Sequence, residues 1–461
     1  MGYDDARHLL ARSGFAPTVA EVQIYAKLTR AQAVDKLLNE TRSAAQTPAP
    51  SWVNEPPTSL RDIKQLSDEA RKQLQRQQIE RGVELRGWWY QEMLATPTPL
   101  TERMTLFWHN HFVSSQQKVK SAQLMYRQHV LLRRQALGNF GELLHAVSKD
   151  PAMIVYLDNA TNRRGHPNEN FAREVMELFT LGVGHYTEQD IKEVARAFTG
   201  WSLDRATGEF RFYPLLHDAG PKTVLGRSGD FDGDAVLDIL LAQPQTAELI
   251  STKLWREFVS PNADAKEVKR LAAIFREARY EMKPLLRALF TSDAFYAPAN
   301  RARLIKSPVD LLVGTLRQFG IKGVDTRLLV FSGRQLNQDL FGPPNVKGWP
   351  GGEDWINSTT LLARKQFMER IFRMEEMPID RRTLRNEMGA SAAREMAGQA
   401  MVANLRFDAP TFFDAFKGGE EQRRTSVERL VLAGPASHKP AATERIEFIR
   451  QLVLDSAYQL K

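Results

Sequence analysis

Two histidines lie close together in the segment 107–112, whose sequence is Phe-Trp-His-Asn-His-Phe. His109 and His111 are two residues apart, so they do not share a face of a regular helix, but both can point into one site at a helix end or a distortion. Imidazoles placed in this way can bind a metal ion. The alternative is structural, with one ring packed against Trp108 and the other capping a carbonyl.

A charged helix is predicted over about 170–181, directly after Asn168 and Glu169. Glu169, Arg173 and Glu177 are spaced by four residues and line one helix face, while Glu174 lies three residues before Glu177. Apolar residues interleave with these charges, and enclosed carboxylates need an arginine, a histidine or a metal ion as partner. We therefore expect Glu169, Arg173 and Glu174 to be catalytic and Glu177 to be a metal ligand. The alternative is a solvated face with surface Glu–Arg pairs, at a helix start that favours a carboxylate.

A further imidazole occurs at His217, next to Asp218 and close to Lys222. Asp218 can orient the imidazole or supply an oxygen ligand. This makes His217 the fourth predicted metal ligand, with His109, His111 and Glu177, and it makes Lys222 a predicted substrate-binding residue. The alternative is turn chemistry without a catalytic role.

The segment 341–352 is too rich in proline and glycine to be a helix, and the loop 341–357 that it begins contains two tryptophans. Indole rings stack on sugar rings, and amides bind hydroxyl groups, so Trp349, Trp355 and Asn357 are predicted to bind substrate. The alternative is a rigid loop that two buried tryptophans hold in place.

Composition excludes several classes of protein. The chain has 461 residues, no cysteine, and 63 Lys and Arg against 55 Asp and Glu, a formal net charge of +8. The missing cysteines exclude disulfides, thiolate metal sites and cysteine nucleophiles. No phosphate-binding loop, dinucleotide fingerprint or nucleic-acid-binding module is present, so we expect neither a nucleotide cofactor nor a nucleic-acid partner. No long apolar run predicts a transmembrane helix.

Helical periodicity dominates the chain and predicts a mainly α-helical fold, a large bundle-like domain with one small β-hairpin near residues 210–226. Residues 1–375 are expected to form the main domain, and residues 376–461 a C-terminal helical lobe packed on it. The start of the chain lacks the basic and apolar regions of an export signal. We therefore expect a cytoplasmic protein, or a periplasmic one if a signal has been removed.

The motifs also resemble, in order and over most of the chain, the bacterial domain-of-unknown-function family 1800. The resemblance rests on the two motifs around His109 and Glu174 and on seven further segments, which are 12–15, 186–187, 195–201, 217–218, 306–308, 343–352 and 355–357. It implies a bacterial protein, many of whose relatives are exported and are often encoded beside proteins resembling alkaline-phosphatase-type hydrolases, which are candidate partners. It implies no reaction, because the family's function is not established.

Three functions agree with these patterns. The first is an enzyme that uses a divalent metal ion (zinc, manganese or iron) between helices, with hydrolysis of a glycan or of a phosphate or sulfate ester favoured over oxidation. The second is a non-catalytic protein that binds a polysaccharide or a partner through loop 341–357. The third is a metal-free glycan hydrolase with paired carboxylates.

Overall fold

The computed structural model describes residues 1–58, 60–204, 206–373 and 406–461. This part of the chain is mainly α-helical, as predicted. The helices before residue 200 are α1 (Tyr3–Ser13), α2 (Val19–Tyr25), α3 (Arg30–Asn39), α4 (Leu60–Gln65), α5 (Asp68–Ala95), α6 (Pro99–His111), α7 (Gln116–Val119), α8 (Ala122–Arg134), α9 (Phe140–Ser148), α10 (Pro151–Tyr156), α11 (Glu169–Glu174), which continues as a π-helix over Val175–Thr180, and α12 (Glu188–Ala197).

The helices after residue 230 complete the described fold. They are α13 (Gly233–Ala242), α14 (Pro244–Phe258), α15 (Ala265–Glu277), α16 (Met282–Phe290), α17 (Asp293–Tyr296), α18 (Pro308–Gln318), α19 (Thr326–Gln335), α20 (Ser358–Arg373), α21 (Ala409–Asp414), α22 (Glu420–Val431) and α23 (Arg445–Leu454). Within the described residues, no helix is long and apolar enough to cross a membrane.

Local sequence signals set many of the helix boundaries. Glu21 follows Thr18 by three residues and Asp190 follows Thr187 by three, a spacing that predicts capping boxes. The structure confirms both, at the starts of α2 and α12. The sequence also predicts one long helix from about residue 62 to residue 93, and the structure divides it into α4 and α5. The division occurs because the Ser67 side chain accepts a hydrogen bond from the Ala70 backbone N–H, at 3.2 Å, and so starts a new helix.

The predicted hairpin region contains two small antiparallel sheets. Strand β1 (Trp201–Leu203) pairs with β2 (Phe210–Phe212), with Trp201 opposite Phe212. Strand β3 (Lys222–Val224) pairs with β4 (Arg227–Gly229), with Lys222 opposite Gly229. The prediction of a small hairpin is therefore confirmed, and the structure shows that a second hairpin follows it.

Buried apolar side chains form one contiguous core that extends from α1 to the last described helix. Trp88, Trp89 and Tyr90 are buried and attach α5 to this core. The C-terminal helices share it, since the rings of Phe319 and Phe412 lie 5.0 Å apart. The predicted domain boundary at residues 375–376 lies outside the described residues, so the division into two units stays a prediction.

Candidate functional site

The two histidines of α6 point in different directions. His109 enters the core, where its Nε2 lies 3.2 Å from Nδ1 of His129 and its ring packs on Trp89 at 4.7 Å. Burial lowers the pKa of His109 to about 3. An imidazole held in this way is neutral and has no open side for a substrate, because its neighbours are aromatic rings and a second histidine.

His111 instead contacts α14. The ammonium of Lys253 lies 2.9 Å from His111 Nδ1, and it also donates to the carbonyl of Leu178 at 2.9 Å. An ammonium only donates, so Nδ1 accepts and the proton of the neutral ring is on Nε2. Burial, with a smaller effect of Lys253, holds the pKa of His111 well below its ordinary value. His111 therefore serves to position Lys253.

The charged helix places its predicted catalytic residues on a partly solvated face. Arg173 pairs with Glu169 at 3.4 Å and with Glu188 at 2.9 Å, and the side chains of Arg173 and Glu169 are both more than a third exposed. Glu177 accepts a hydrogen bond from the Tyr186 hydroxyl at 2.6 Å. The two pairs of Arg173 are those expected of a solvated helix face with surface Glu–Arg pairs, which was the alternative to a catalytic role.

Glu174 lies where the regular helix becomes a π-helix. Burial, with a smaller contribution from Glu177, raises the pKa of Glu174, whereas the positive charges of Arg173 and Lys347 lower it. The π-helix is closed by a hydrogen bond from Leu181 N–H to the Met176 carbonyl, five residues back. Through Lys347, the charged helix is electrostatically coupled to loop 341–357.

His217 and Lys222 form a separate cluster around the hairpins. His217 Nδ1 donates to the Thr199 carbonyl at 2.9 Å, and buried Lys222 donates to the carbonyls of Asp218 and Gly220 at 2.6 and 2.9 Å. Burial lowers the pKa of Lys222. Arg196 binds the Asp218 carboxylate at 2.8 Å and lowers its pKa to about 2. Lys222 therefore binds backbone carbonyls of its own loop.

The four predicted metal ligands are consequently not brought together. His109 and His111 face different neighbours, Glu177 bonds Tyr186, and His217 lies in the hairpin cluster. Among the described residues, no group of three or more His, Asp or Glu side chains is arranged to hold a metal ion. The divalent-metal cofactor stays a prediction for which these residues provide no ligand set.

Loop 341–357 is a rigid element built onto the end of α6. Asn110 accepts a hydrogen bond from the Trp349 backbone N–H at 2.7 Å, and the Trp349 indole donates to the Asp339 carbonyl at 3.2 Å. Trp349 and Trp355 are each 5% exposed. Asn357 caps α20 by accepting from the Thr360 N–H at 2.9 Å. Both rings thus anchor the loop, and each presents little free ring surface.

Replacing Gly348 with alanine is expected to destabilise this loop by about 1–3 kcal/mol. Gly348 has a φ of +92°, and a Cβ would lie 2.2 Å from Asn110 Oδ1. Urea unfolding of the full chain, followed by tryptophan fluorescence, measures the effect. Gly351→Ala is the matched control, since that site has open space and a φ of −119°. Equal stability of the two variants would show that the Asn110 contact does not hold the loop.

One cleft joins several of the predicted residues. Its volume is about 870 Å³, and it lies between the end of α6, α14 and loop 341–357. Three of the predicted site residues line it, namely His111, Trp349 and Trp355. Asn110, which was not predicted as a site residue, lines it as well. The other predicted site residues do not line the cleft; they are His109, Glu169, Arg173, Glu174, Glu177, His217, Lys222 and Asn357.

Four cations line this cleft without a carboxylate partner within ion-pair distance among the described residues. Arg256, Arg303 and Lys347 are exposed, and Lys253 is half-buried. Burial, with a smaller effect of Arg256, lowers the pKa of Lys253 to about 8. We call the space that these four residues line the cationic cleft. Its acidic lining residues Asp310 and Glu257 are already paired with Arg103, which leaves Glu353 and Asp354 as the unpaired acids.

Sequence reasoning missed all four cations of the cleft. Lys253 and Arg256 belong to an amphipathic helix whose pattern is that of ordinary surface residues. Arg303 lies in a short connection, and Lys347 lies inside the glycine-rich motif without a distinctive spacing. The signal that could have found them is three-dimensional, namely the contact between Asn110 and Trp349, which brings the two motifs together.

Comparison with known proteins gives one match. The family model described as a protein of unknown function, DUF1800, matches residues 8–445. The curated proteins and the solved structures contain no match. Because the match covers nearly the whole chain, it includes the motif around His109, the charged helix, the hairpin cluster and the loop with Trp349. The chain therefore belongs to the DUF1800 family of proteins of unknown function.

Proposed function

We propose that this protein binds a small anionic ligand, a sugar carrying a phosphate or sulfate ester, in the cationic cleft. The observation that carries the proposal is that Lys253, Arg256, Arg303 and Lys347 share one cleft without carboxylate partners among the described residues. Guanidinium and ammonium groups form their strongest hydrogen bonds with phosphate- and carboxylate-type anions. A cleft of about 870 Å³ is within the usual range for a small-molecule site.

Lys253 is prepared for such a ligand at the base of the cleft. Two of its three N–H groups are used by His111 and by the Leu178 carbonyl, which leaves one N–H for a ligand oxygen. The two fixed partners hold the ammonium in place, so little side-chain entropy is lost on binding. This arrangement gives the His-Asn-His motif a role in ligand recognition through positioning.

The remaining walls suit a sugar. Pro261, Ala302 and Pro350 supply accessible apolar surface in the cleft, and the exposed carboxylates of Glu353 and Asp354 can accept hydrogen bonds from hydroxyl groups. An anionic ester would contact the cations, while the ring would lie against the apolar surface. The proposal thus combines the predicted substrate class with the predicted binding loop.

Isothermal titration calorimetry with glucose 6-phosphate and glucose 6-sulfate tests this function, with neutral glucose as the matched ligand. We expect the double variant Arg303→Glu/Lys347→Glu to bind either ester at least tenfold more weakly, because hydrogen bonds to charged groups contribute about 1.5–3 kcal/mol each. Both side chains are exposed, so the fold should be unaffected. Affinity should also fall as the pH rises through about 8, since Lys253 then loses its proton.

Lys417→Glu/Lys439→Glu is the control for net charge, because both lysines are exposed and neither lines the cleft. It should leave the affinity for the esters unchanged. Equal weakening by the two double variants, or equal binding of glucose and its esters, would contradict the proposal. Absence of binding of both esters and of inorganic phosphate and sulfate would also contradict it.

The metal-dependent hydrolase of the sequence analysis has a separate test. Elemental analysis of the untagged protein, purified without chelator, measures bound metal directly. Substitution of His109 is a poor control for that assay, because the ring is buried against Trp89 and His129 and its loss would disturb the core. His217 is half-buried, so His217→Gln is the better variant for testing whether a predicted metal ligand is needed for metal binding.

A further inference from the structure

Three exposed apolar side chains lie in residues 212–216, at the open end of the first hairpin, where Phe212 pairs with Trp201. We call this segment the tip; it belongs to neither the core nor the cationic cleft. Phe212, Leu215 and Leu216 are 40%, 89% and 41% exposed. Six large apolar side chains are exposed in the described part of the chain, and these three lie within five consecutive residues. Such clustering differs from the scattered exposed apolar residues that any surface carries.

The tip is held in position by its base. The Tyr213 N–H donates to the Gly200 carbonyl at 2.8 Å, and the His217 imidazole donates to the neighbouring Thr199 carbonyl at 2.9 Å. Gly200 has a φ of +82°, and a Cβ there would lie 2.7 Å from the Tyr213 carbonyl oxygen. The predicted site residue His217 thus belongs to the support of the tip and does not line the cleft.

A basic loop lies directly against the tip. Residues 163–167 are exposed, and the Arg164 N–H donates to the Leu216 carbonyl at 2.7 Å. Neither Arg163 nor Arg164 has a carboxylate within ion-pair distance among the described residues. The acidic side chains on the hairpins and their connections are already paired; the pairs are Asp204 with Arg211, Glu209 with Arg127 and Asp218 with Arg196. The unpaired charge beside the tip is therefore positive.

We propose that the tip and the basic loop together dock the protein on an anionic lipid surface. Phe212, Leu215 and Leu216 would enter the boundary between headgroups and acyl chains, while Arg163 and Arg164 would contact lipid phosphates. A stable protein partner needs an interface of about 1,000 Å² or more, and three apolar side chains within five residues do not form such a surface. The combination of a small apolar tip with flanking unpaired arginines suits a membrane surface.

Co-sedimentation of the full chain with vesicles tests the proposal. We expect binding to phosphatidylcholine vesicles that contain about 30% phosphatidylglycerol, and weak binding to pure phosphatidylcholine, because each basic residue near an anionic surface contributes about fivefold in affinity. Arg163→Glu/Arg164→Glu should weaken binding to the anionic vesicles at least tenfold. Leu215→Ser/Leu216→Ser should weaken it as well, and added salt should do the same.

Two variants serve as controls. Leu362→Ser removes an apolar side chain that is 58% exposed elsewhere, and Arg303→Glu/Lys347→Glu changes the charge of the cationic cleft. Both should leave vesicle binding unchanged, which separates this surface from the ligand site. Absence of sedimentation with both kinds of vesicle would overturn the proposal. Binding that Arg163→Glu/Arg164→Glu does not weaken, or that the cleft variant weakens equally, would overturn it too.

Discussion

Replacing Asp310 with alanine is expected to lower the free energy of unfolding by about 3–5 kcal/mol. Asp310 is 1% exposed and pairs with Arg103, which is 1% exposed, and with Lys461 at 2.7 Å. Its carboxylate also accepts from the Ser307 N–H at 3.0 Å. Without this carboxylate, the buried cations Arg103 and Lys461 lose a negative charge that offsets their own. Leaving a buried charge uncompensated destabilises a protein more than the intact ion pair stabilises it.

Urea unfolding measures this effect, and two variants define its origin. Asp310→Asn keeps the shape of the side chain and can still accept from Ser307, so it should lose less than the alanine variant. Asp4→Ala removes the partner of Arg429 in a pair whose side chains are both 53% exposed, and it should cost about 0–1 kcal/mol. If Asp310→Ala were no more harmful than Asp4→Ala, the buried network would not support the fold.

The same network lines the cationic cleft, and it limits which of the cleft's charges a ligand can bind. Arg103, Asp310 and Lys461 all line the cleft, yet their charges are mutually neutralised. Arg103 and Lys461 hold the pKa of Asp310 well below its ordinary value, although burial acts in the opposite direction. The carboxylate therefore stays ionised, and the cations available to a ligand are those that have no such partner.

Helix boundaries were predictable where one residue type satisfies the backbone at a helix end. Thr18, Thr187 and the Asp150-Pro151 pair give strong local signals, and each one marks an observed helix start. The second hairpin was less predictable, since its strands, Lys-Thr-Val and Arg-Ser-Gly, lack the alternation of apolar and polar residues that the strands of the first hairpin have. The π-helix at Val175–Thr180 also has no local signal, because it depends on a shifted register of backbone hydrogen bonds.

The candidate site was only partly predictable, for a geometric reason. Spacing along a helix indicates which side chains share a face, but it does not tell which neighbour that face meets. His109 and His111 were expected in one site, and instead they contact α8 and α14 respectively. Loop 341–357 was located correctly because proline and glycine exclude helix, whereas its contact with Asn110 depends on the packing of distant elements.

The burial of the histidines leads to the second large expected effect, a loss of stability on mild acidification. His109 and His129 form a hydrogen bond with each other in the core, where they are 3% and 0% exposed. Burial lowers the pKa of His109 to about 3 and holds the pKa of His129 well below its ordinary value. Burial likewise lowers the pKa of His8 to about 2. Burial therefore keeps these rings neutral in the folded protein over the pH range in which a histidine of the unfolded chain gains its proton.

The sign of the effect follows from proton binding. In the unfolded chain a histidine has a pKa of about 6.5, so below that pH the unfolded state binds a proton that the folded state does not. The stability associated with each ring is fully present above about pH 6.5 and is lost as the pH falls towards the folded pKa. Between pH 6.5 and pH 5 this amounts to about 2 kcal/mol for His109, from 1.36 kcal/mol per pH unit.

Urea unfolding of the parent chain and of His109→Phe/His129→Phe, at pH 7.5 and at pH 5, checks this prediction. The double variant replaces both members of the hydrogen-bonded pair, so neither is left buried without its partner. Its loss of stability between the two pH values should be smaller than that of the parent by roughly 2–4 kcal/mol. His185→Gln, which changes an exposed histidine, should behave as the parent does. If the double variant lost as much stability on acidification as the parent, protons would have to act on groups other than these two rings, since phenylalanine cannot titrate.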